Sequence, residues 1–142
     1  MVNAANQVSD AVKSQISITH PDNQDLGYLY GTILTDGNDT YSKQATANIC
    51  VFANSQVDRS PTGSGVAARI AIQYRNGEIA LDQERTFESV TGAYCSAKVI
   101  TETTCGPHKA VTVEVSGLPH YTGTSVFTYE DGDTIGAGFL LS

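Results

Sequence analysis

The chain has 142 residues, 40% of them hydrophobic, with 13 glycines and no tryptophan, which fits one globular domain with a real core and excludes a disordered segment. A formal net charge of −7 and eight scattered basic residues exclude a clustered cationic surface, so nucleic acid is not an expected partner. No run reaches the apolar length of a membrane span, and residues 1–15 lack the basic and apolar blocks of a signal peptide.

In chain order, Ala4, Ala5, Val8, Ala11 and Val12 recur at helical spacing and predict a short amphipathic helix over 3–15. SQISITH (14–20) alternates like a strand and stops at Pro21. LGYLYGTILTD (26–36) reads as the next strand, closed by the turn signal Asp36-Gly37-Asn38-Asp39. KQATANICVFAN (43–54) supplies another, and its apolar run from Ile49 to Phe52 is expected to be buried on both faces.

VDRSPTGSG (57–65) is a loop that opens a helix in GVAARIAIQYRNG. There Val66, Ile70 and Tyr74 fall at i, i+4 and i+8, and Asn76-Gly77 forms the C-cap. This helix is small and apolar on most sides, so it is expected inside the domain. EIALDQERTFESV (78–90), GAYCSAKVITETT (92–104), KAVTVEVSG (109–117) and TGTSVFTYED (122–131) read as strands of period two, with GFLLS (138–142) as a further short one. The sum is an α+β domain: a largely antiparallel or mixed sheet curled around a central helix.

Cys50, Cys95 and Cys105 are an odd number without close pairs, which favours reduced thiols over a disulfide scaffold. His20, His108 and His120 do not stand at ligand spacing with any of them, so no metal is expected. With no recognisable targeting signal, the cytoplasm is the expected compartment.

The chemistry concentrates in Asp58-Arg59-Ser60-Pro61-Thr62-Gly63-Ser64-Gly65, where a strand hands over to a helix. The first turn of a helix presents amides with no intrahelical partner and a partial positive charge, which together favour an anion. Gly63 and Gly65 let backbone approach a ligand closely, and Pro61 fixes the entering chain. Thr62 and Ser64 add hydroxyls, and Asp58 is placed to hold a cationic amine. An anion cradle beside a carboxylate complements the two charges of an amino acid. Capped glycine-rich turns also occur in many folds with no ligand. Gly63-x-Gly65-x-x-Ala68 with Asp82 downstream imitates a dinucleotide fingerprint, but the chain lacks the alternating strands and helices that fold requires.

The same octapeptide resembles the second active-site motif of the proline racemase superfamily, D-R-S-P-C-G-T-G in racemases and hydroxyproline epimerases. HPDNQDLGYLYGTILTDG, NICVFANSQVDRSPTGSGVAARIAIQY, VEVSGLPHYTGTSVF and the closing GFLL extend the resemblance over nearly the whole chain. Thr62 stands where racemases have cysteine, which is the mark of the trans-3-hydroxy-L-proline dehydratase branch. The cysteine of the family's first motif, of the M-C-G-H type, has no counterpart here. The resemblance therefore implies a single domain over 1–142, similar to the C-terminal half of a two-domain enzyme. Residues 136–142 are expected to pack on the other half.

The implied reaction is cofactor-independent dehydration of trans-3-hydroxy-L-proline to 1-pyrroline-2-carboxylate and water. Asp58, Gly63 and Ser64 would bind substrate, and Thr62 would occupy the second catalytic position. Racemisation needs a base on each face of the Cα; a cysteine suits that role and a threonine hydroxyl does not. Thr62 would then either hydrogen-bond the departing hydroxyl or fill space. Two alternatives stand beside this reading: a racemase or epimerase with another second base, and a non-catalytic amino-acid-binding domain. The expected partners are a small imino acid, the N-terminal domain and, as a candidate, a second copy of the chain. Arg59 is expected to pair with a loop carboxylate, Arg69 to bridge to the sheet or the domain interface, His20 to end a strand, and His120 and Tyr121 to be turn and interface residues.

Overall fold

The computed structural model describes residues 1–139. Helix α1 (Val2–Gln15) lays its small face on the sheet, with Ala5 fully buried. Its polar side chains tie it down: the Ser9 and Thr32 hydroxyls are 2.7 Å apart, and Asn6 Nδ2 donates to Ser55 Oγ at 2.7 Å. The alternating stretch 14–20 forms no strand. Its apolar residues lack a facing sheet, and Ile16 is left 58% exposed. A 3-10 turn follows at Gln24–Leu26, so the strand expected over 26–36 shrinks to β1 (Gly31–Thr35).

Strand β2 (Thr46–Phe52) pairs antiparallel with β1 and with the two-residue β3 (Gln56–Val57). Within its apolar run Cys50 and Val51 are buried, whereas Ile49 and Phe52 are half-buried, because a helix covers each face only in part. Gly31 is required at the β1–β2 contact: a Cβ there would stand 2.5 Å from the Val51 carbonyl oxygen.

The chain then crosses through α2 (Gly63–Arg75) to β4 (Arg85–Ser89), which pairs parallel with β2 in the register Thr46↔Phe87 and Asn48↔Ser89. A parallel pair needs such a crossover. β5 (Tyr94–Cys105) and β6 (His108–Gly117) complete a six-stranded mixed sheet of order β1-β2-β4-β5-β6, with β3 beside β2. The architecture is the expected α+β class, with two helices against one mixed sheet.

Helix α2 sets Val66 and Ile70 against Ile79, Phe87, Ala97 and Val99, all buried. Each of these side chains apart from Ala97 contributes about 1.5–3 kcal/mol by leaving water. The helix is not enclosed on most sides, as its composition implied: Ser64, Ala68, Ile72 and Arg75 face outward, with Ile72 58% exposed. Its alanines make both faces look apolar in sequence. Its end is the expected cap, with Gly77 at φ 75°, the Gly77 amide on Tyr74 O and the Glu78 amide on Gln73 O.

Two further strands contract or vanish. Residues 78–84 leave the ladder, with Asp82 in a left-handed conformation, and only Arg85–Ser89 remains. Residues 122–131 form no strand, and Val126 and Phe127 are each 92% exposed. In GFLLS, Gly138 and Phe139 are in no strand, and 140–142 lie outside the described residues.

Candidate active site

After β3 the chain runs back along β2. The Asp58 amide donates to Cys50 O at 3.0 Å, and Asn48 Nδ2 donates to Pro61 O at 3.0 Å. From the other side Thr91, in the β4–β5 turn, donates to Arg59 O at 2.7 Å. The motif is thus pinned to the ends of the parallel β2–β4 pair before it enters α2.

Two short turns shape it. Asp58 Oδ1 accepts the Ser60 amide at 2.9 Å, and Ser60 Oγ accepts the Thr62 amide at 3.0 Å. Thr62 then takes φ 66° and ψ 93° at the N-cap of α2. A β-branched residue at positive φ is strained, at a cost of order 1–3 kcal/mol. Its side chain does not cap the helix; it donates to Asp58 Oδ2 at 2.8 Å and is 7% exposed.

Burial pushes the Asp58 carboxyl up. The Ser60 amide, the Thr62 and Ser60 hydroxyls and the Arg59 charge outweigh it and hold the group below the usual carboxylate range, so it is anionic near neutrality. Burial and the Asp58 charge push the Cys50 thiol up, against a contact with the Thr62 hydroxyl that lowers it. Cys50 is therefore a protonated, buried neighbour of Thr62 rather than a nucleophile. Cys95 is raised in the same sense by burial and by Asp58.

The first intrahelical bond runs from the Val66 amide to Thr62 O at 2.8 Å. Among the described residues the amides of Gly63, Ser64 and Gly65 have no acceptor, and Gly63 and Ser64 are exposed. The two glycines differ. A Cβ on Gly63 would meet nothing within 4 Å, so the fold does not demand glycine there. A Cβ on Gly65 would fall 2.0 Å from Ile33 Cδ1, so Gly65 serves helix packing.

Asp58, Thr62, Gly63 and Ser64 thus come together: an anionic carboxylate, a hydroxyl on it, and free amides at a positive helix end. The arrangement can hold a carboxylate and an ammonium a few ångströms apart. It lies on an open face. A groove of about 610 Å³ lies elsewhere, between α1 and the Tyr28–Gly31 and Val51–Ser55 segments. That groove holds none of the motif.

Other expectations divide. Arg69 bridges to the sheet as anticipated, donating to Asn48 Oδ1, Asp39 Oδ1, Thr46 Oγ1 and Ala47 O. Arg59 is exposed and makes no ion pair among the described residues. His20 does not end a strand as expected, because 16–20 form none; it is a turn residue whose Nδ1 accepts the Asp22 and Asn23 amides. His120 and Tyr121 are exposed and reach no site element. Asp82, the decoy acid of the dinucleotide pattern, pairs with Lys98 at 2.8 Å. All three cysteines are free. No group of three or more His, Cys, Asp or Glu is arranged for a metal among the described residues. The motif pattern points to Ser60 only as a loop residue, and nothing in it points to Asn48, because both act through backbone contacts made on folding.

The family described as Proline racemase matches residues 1–140. Human trans-3-hydroxy-L-proline dehydratase is 58% identical over 142 residues, covering 99% of this chain and 40% of the relative. The enzyme of the same name from Burkholderia cenocepacia is 35% identical over 135 residues, covering 95% and 40%. The chain thus spans about 40% of the length of these relatives. A hydroxyproline epimerase structure from Agrobacterium vitis, with bound trans-4-OH-L-proline, superposes with a TM-score of 0.83 at 23% identity, covering 99% of this chain and 40% of that one. A probable proline racemase from Agrobacterium radiobacter gives 0.84 at 20% identity with the same coverage. At those identities the likeness is one of fold.

Proposed function

This chain belongs to the proline racemase family, and from that premise we propose that it forms the substrate-binding half of a trans-3-hydroxy-L-proline dehydratase. The observation that carries the reading is Thr62 at the head of α2, with its hydroxyl on Asp58 and the free amides of Gly63 and Ser64 beside it. The 58% identity to relatives bearing that name supports the choice of substrate.

The amides of Gly63 and Ser64 receive the substrate carboxylate, where they also stabilise charge that builds up when the Cα proton leaves. Asp58, held anionic, takes the ring ammonium. A base outside this chain, which the family resemblance gives as a cysteine, removes the Cα proton. The electron pair forms the Cα–Cβ double bond as the C3–O bond breaks. The hydroxide leaves C3 and is protonated to water, the base gives its proton up to solvent, so the net loss is one water, and the enamine tautomerises to 1-pyrroline-2-carboxylate. No cofactor enters the balance.

Thr62 explains why elimination replaces inversion. Its hydroxyl has no accessible anion near neutral pH, so no second base waits on the opposite face. Once Asp58 turns to the ring ammonium, the Thr62 proton is free to hydrogen-bond the departing hydroxyl.

The test is turnover of trans-3-hydroxy-L-proline by the intact protein, read by mass spectrometry and chiral chromatography. The proposal expects loss of one water and no inverted amino acid. Inverted substrate at full mass as the main product contradicts it.

A further inference from the structure

We propose that Asn48 is a positioning residue that aims the head of α2. This deepens the reading above and rests on it for the identity of the ligand. Asn48 lies in β2 and is 1% exposed. Its two ends face different partners: Nδ2 donates to Pro61 O at 3.0 Å, and Oδ1 accepts from Arg69 Nη1 at 2.6 Å. A carboxamide alone among side chains of this size offers both a donor and an acceptor in one plane.

What Asn48 grips is the peptide between Pro61 and Thr62. Its carbonyl is held by Asn48, and its N–H donates to Ser60 Oγ at 3.0 Å. A peptide unit is planar, so holding both ends fixes its orientation. The proline ring fixes Pro61 φ, one torsion before this peptide, and Thr62 φ of 66° is the torsion that follows it. Thr62 rests in a conformation that a β-branched residue disfavours, so this torsion must be imposed by its surroundings. The same torsion sets where the amides of Gly63 and Ser64 point.

The grip is itself anchored. Arg69, one and a half turns into α2 and 7% exposed, carries Asn48 on Nη1, while Nη2 reaches Asp39 Oδ1 at 2.7 Å and Thr46 Oγ1 at 3.0 Å. Asp39 also accepts from Gln73 Nε2 at 3.1 Å, and its own carbonyl accepts from Arg85 Nη1 at 2.5 Å. The network is buried at Asn48, Thr46 and Arg69 and half-exposed at Asp39, and its inner hydrogen bonds hold the Asn48 carboxamide by its oxygen. It runs from the Asp36–Asp39 turn through α2 and β2 to the carbonyl that precedes Thr62. Asn48 touches no ligand and acts through the backbone.

Asn48→Asp in the intact protein is the test. It is isosteric and keeps the Arg69 contact, but sets an oxygen against Pro61 O. Two readouts are needed: hydrogen exchange by mass spectrometry, comparing peptides over 58–64 and 66–75, and direct binding of L-proline, which lacks the 3-hydroxyl. The expected result is exchange at least tenfold faster in 58–64 with 66–75 unchanged, and L-proline bound about tenfold more weakly. Unchanged exchange and affinity overturn the inference. Uniformly faster exchange across both peptides also overturns it, since Asn48 would then only support the helix. Should Asn48→Asp fail to fold, Asn48→Thr, which cannot span both partners, is read in the same way. If the parent protein binds L-proline but dehydrates nothing, the dehydratase proposal fails while exchange still decides the role of Asn48.

Discussion

Thr62 Oγ1 donates its one proton to Asp58 Oδ2 at 2.8 Å, four residues back along the chain. The two side chains are therefore coupled: a cation that takes over the Asp58 carboxylate releases the Thr62 hydroxyl as a donor. Asp58 carries the charge of the pair and Thr62 the neutral proton, which fits binding of a zwitterion followed by help to a neutral leaving group.

Asp58→Asn tests that division. The amide keeps an acceptor for Ser60 but removes the charge that faces the ring ammonium. A hydrogen bond to a charged group is worth about 1.5–3 kcal/mol, so kcat/KM falls about 10- to 100-fold. Steady-state kinetics of the intact protein check this, and an unchanged kcat/KM removes Asp58 from the substrate site.

Gly63→Ala separates binding from folding. The new methyl meets no protein atom within 4 Å, and alanine in a helix is favoured over glycine by about 0.5–1 kcal/mol. The melting temperature is expected to hold or rise slightly. L-proline affinity is expected to fall, because the methyl enters the space before the free amides. Calorimetric titration beside thermal melting measures both.

Gly65→Ala gives the opposite pattern. Its methyl overlaps Ile33 Cδ1, the free end of a flexible side chain, so Ile33 must turn aside and the cost is about 1 kcal/mol, the low end of overpacking. Stability drops in a denaturant titration, while affinity measured on the folded fraction changes less than in Gly63→Ala.

Acid unfolding reports on the turn beside the Asn48 network. Burial pushes Asp36 up, but bonds from the Thr46 hydroxyl and from the Ala47 and Asn38 amides pull it far down. The Arg69 contact, against burial and with help from Gln73 and the arginine charges, lowers Asp39. A carboxylate with a depressed folded pKa stabilises the fold above its unfolded value of about 3.9, and this is lost as pH falls through the folded value. Unfolding free energy is therefore expected to drop below about pH 4, with a shallower slope in Asp36→Asn. Chemical denaturation from pH 7 to pH 2.5 measures it, and parallel curves for the two proteins contradict the assignment.

Much of the fold was legible wherever local pattern and long-range partner agreed. α1, α2 with its Gly77 cap, β2 and the β5–β6 hairpin follow from period and turn residues alone. Alternation at 14–20 and 122–131 carried the same signal, yet a strand needs a pairing partner, and none of the described strands pairs with them. The parallel β2–β4 pair was hidden because α2 separates its members in sequence. At the site, Asp58, Thr62, Gly63 and Ser64 were legible because one octapeptide holds them all. The coupling of Thr62 to Asp58, and the reach of Asn48 to Pro61, depend on how the loop folds back along β2, which no spacing encodes.

The stereochemical outcome of Thr62→Cys in the intact protein tests the account most directly, with trans-4-hydroxy-L-proline and L-proline as substrates in deuterated water. A thiol at a helix N-terminus ionises far more readily than the hydroxyl it replaces. The account predicts inverted product carrying deuterium at Cα from the variant, and none from the parent. Bound substrate with no inversion in the variant, or inversion by the parent itself, contradicts it.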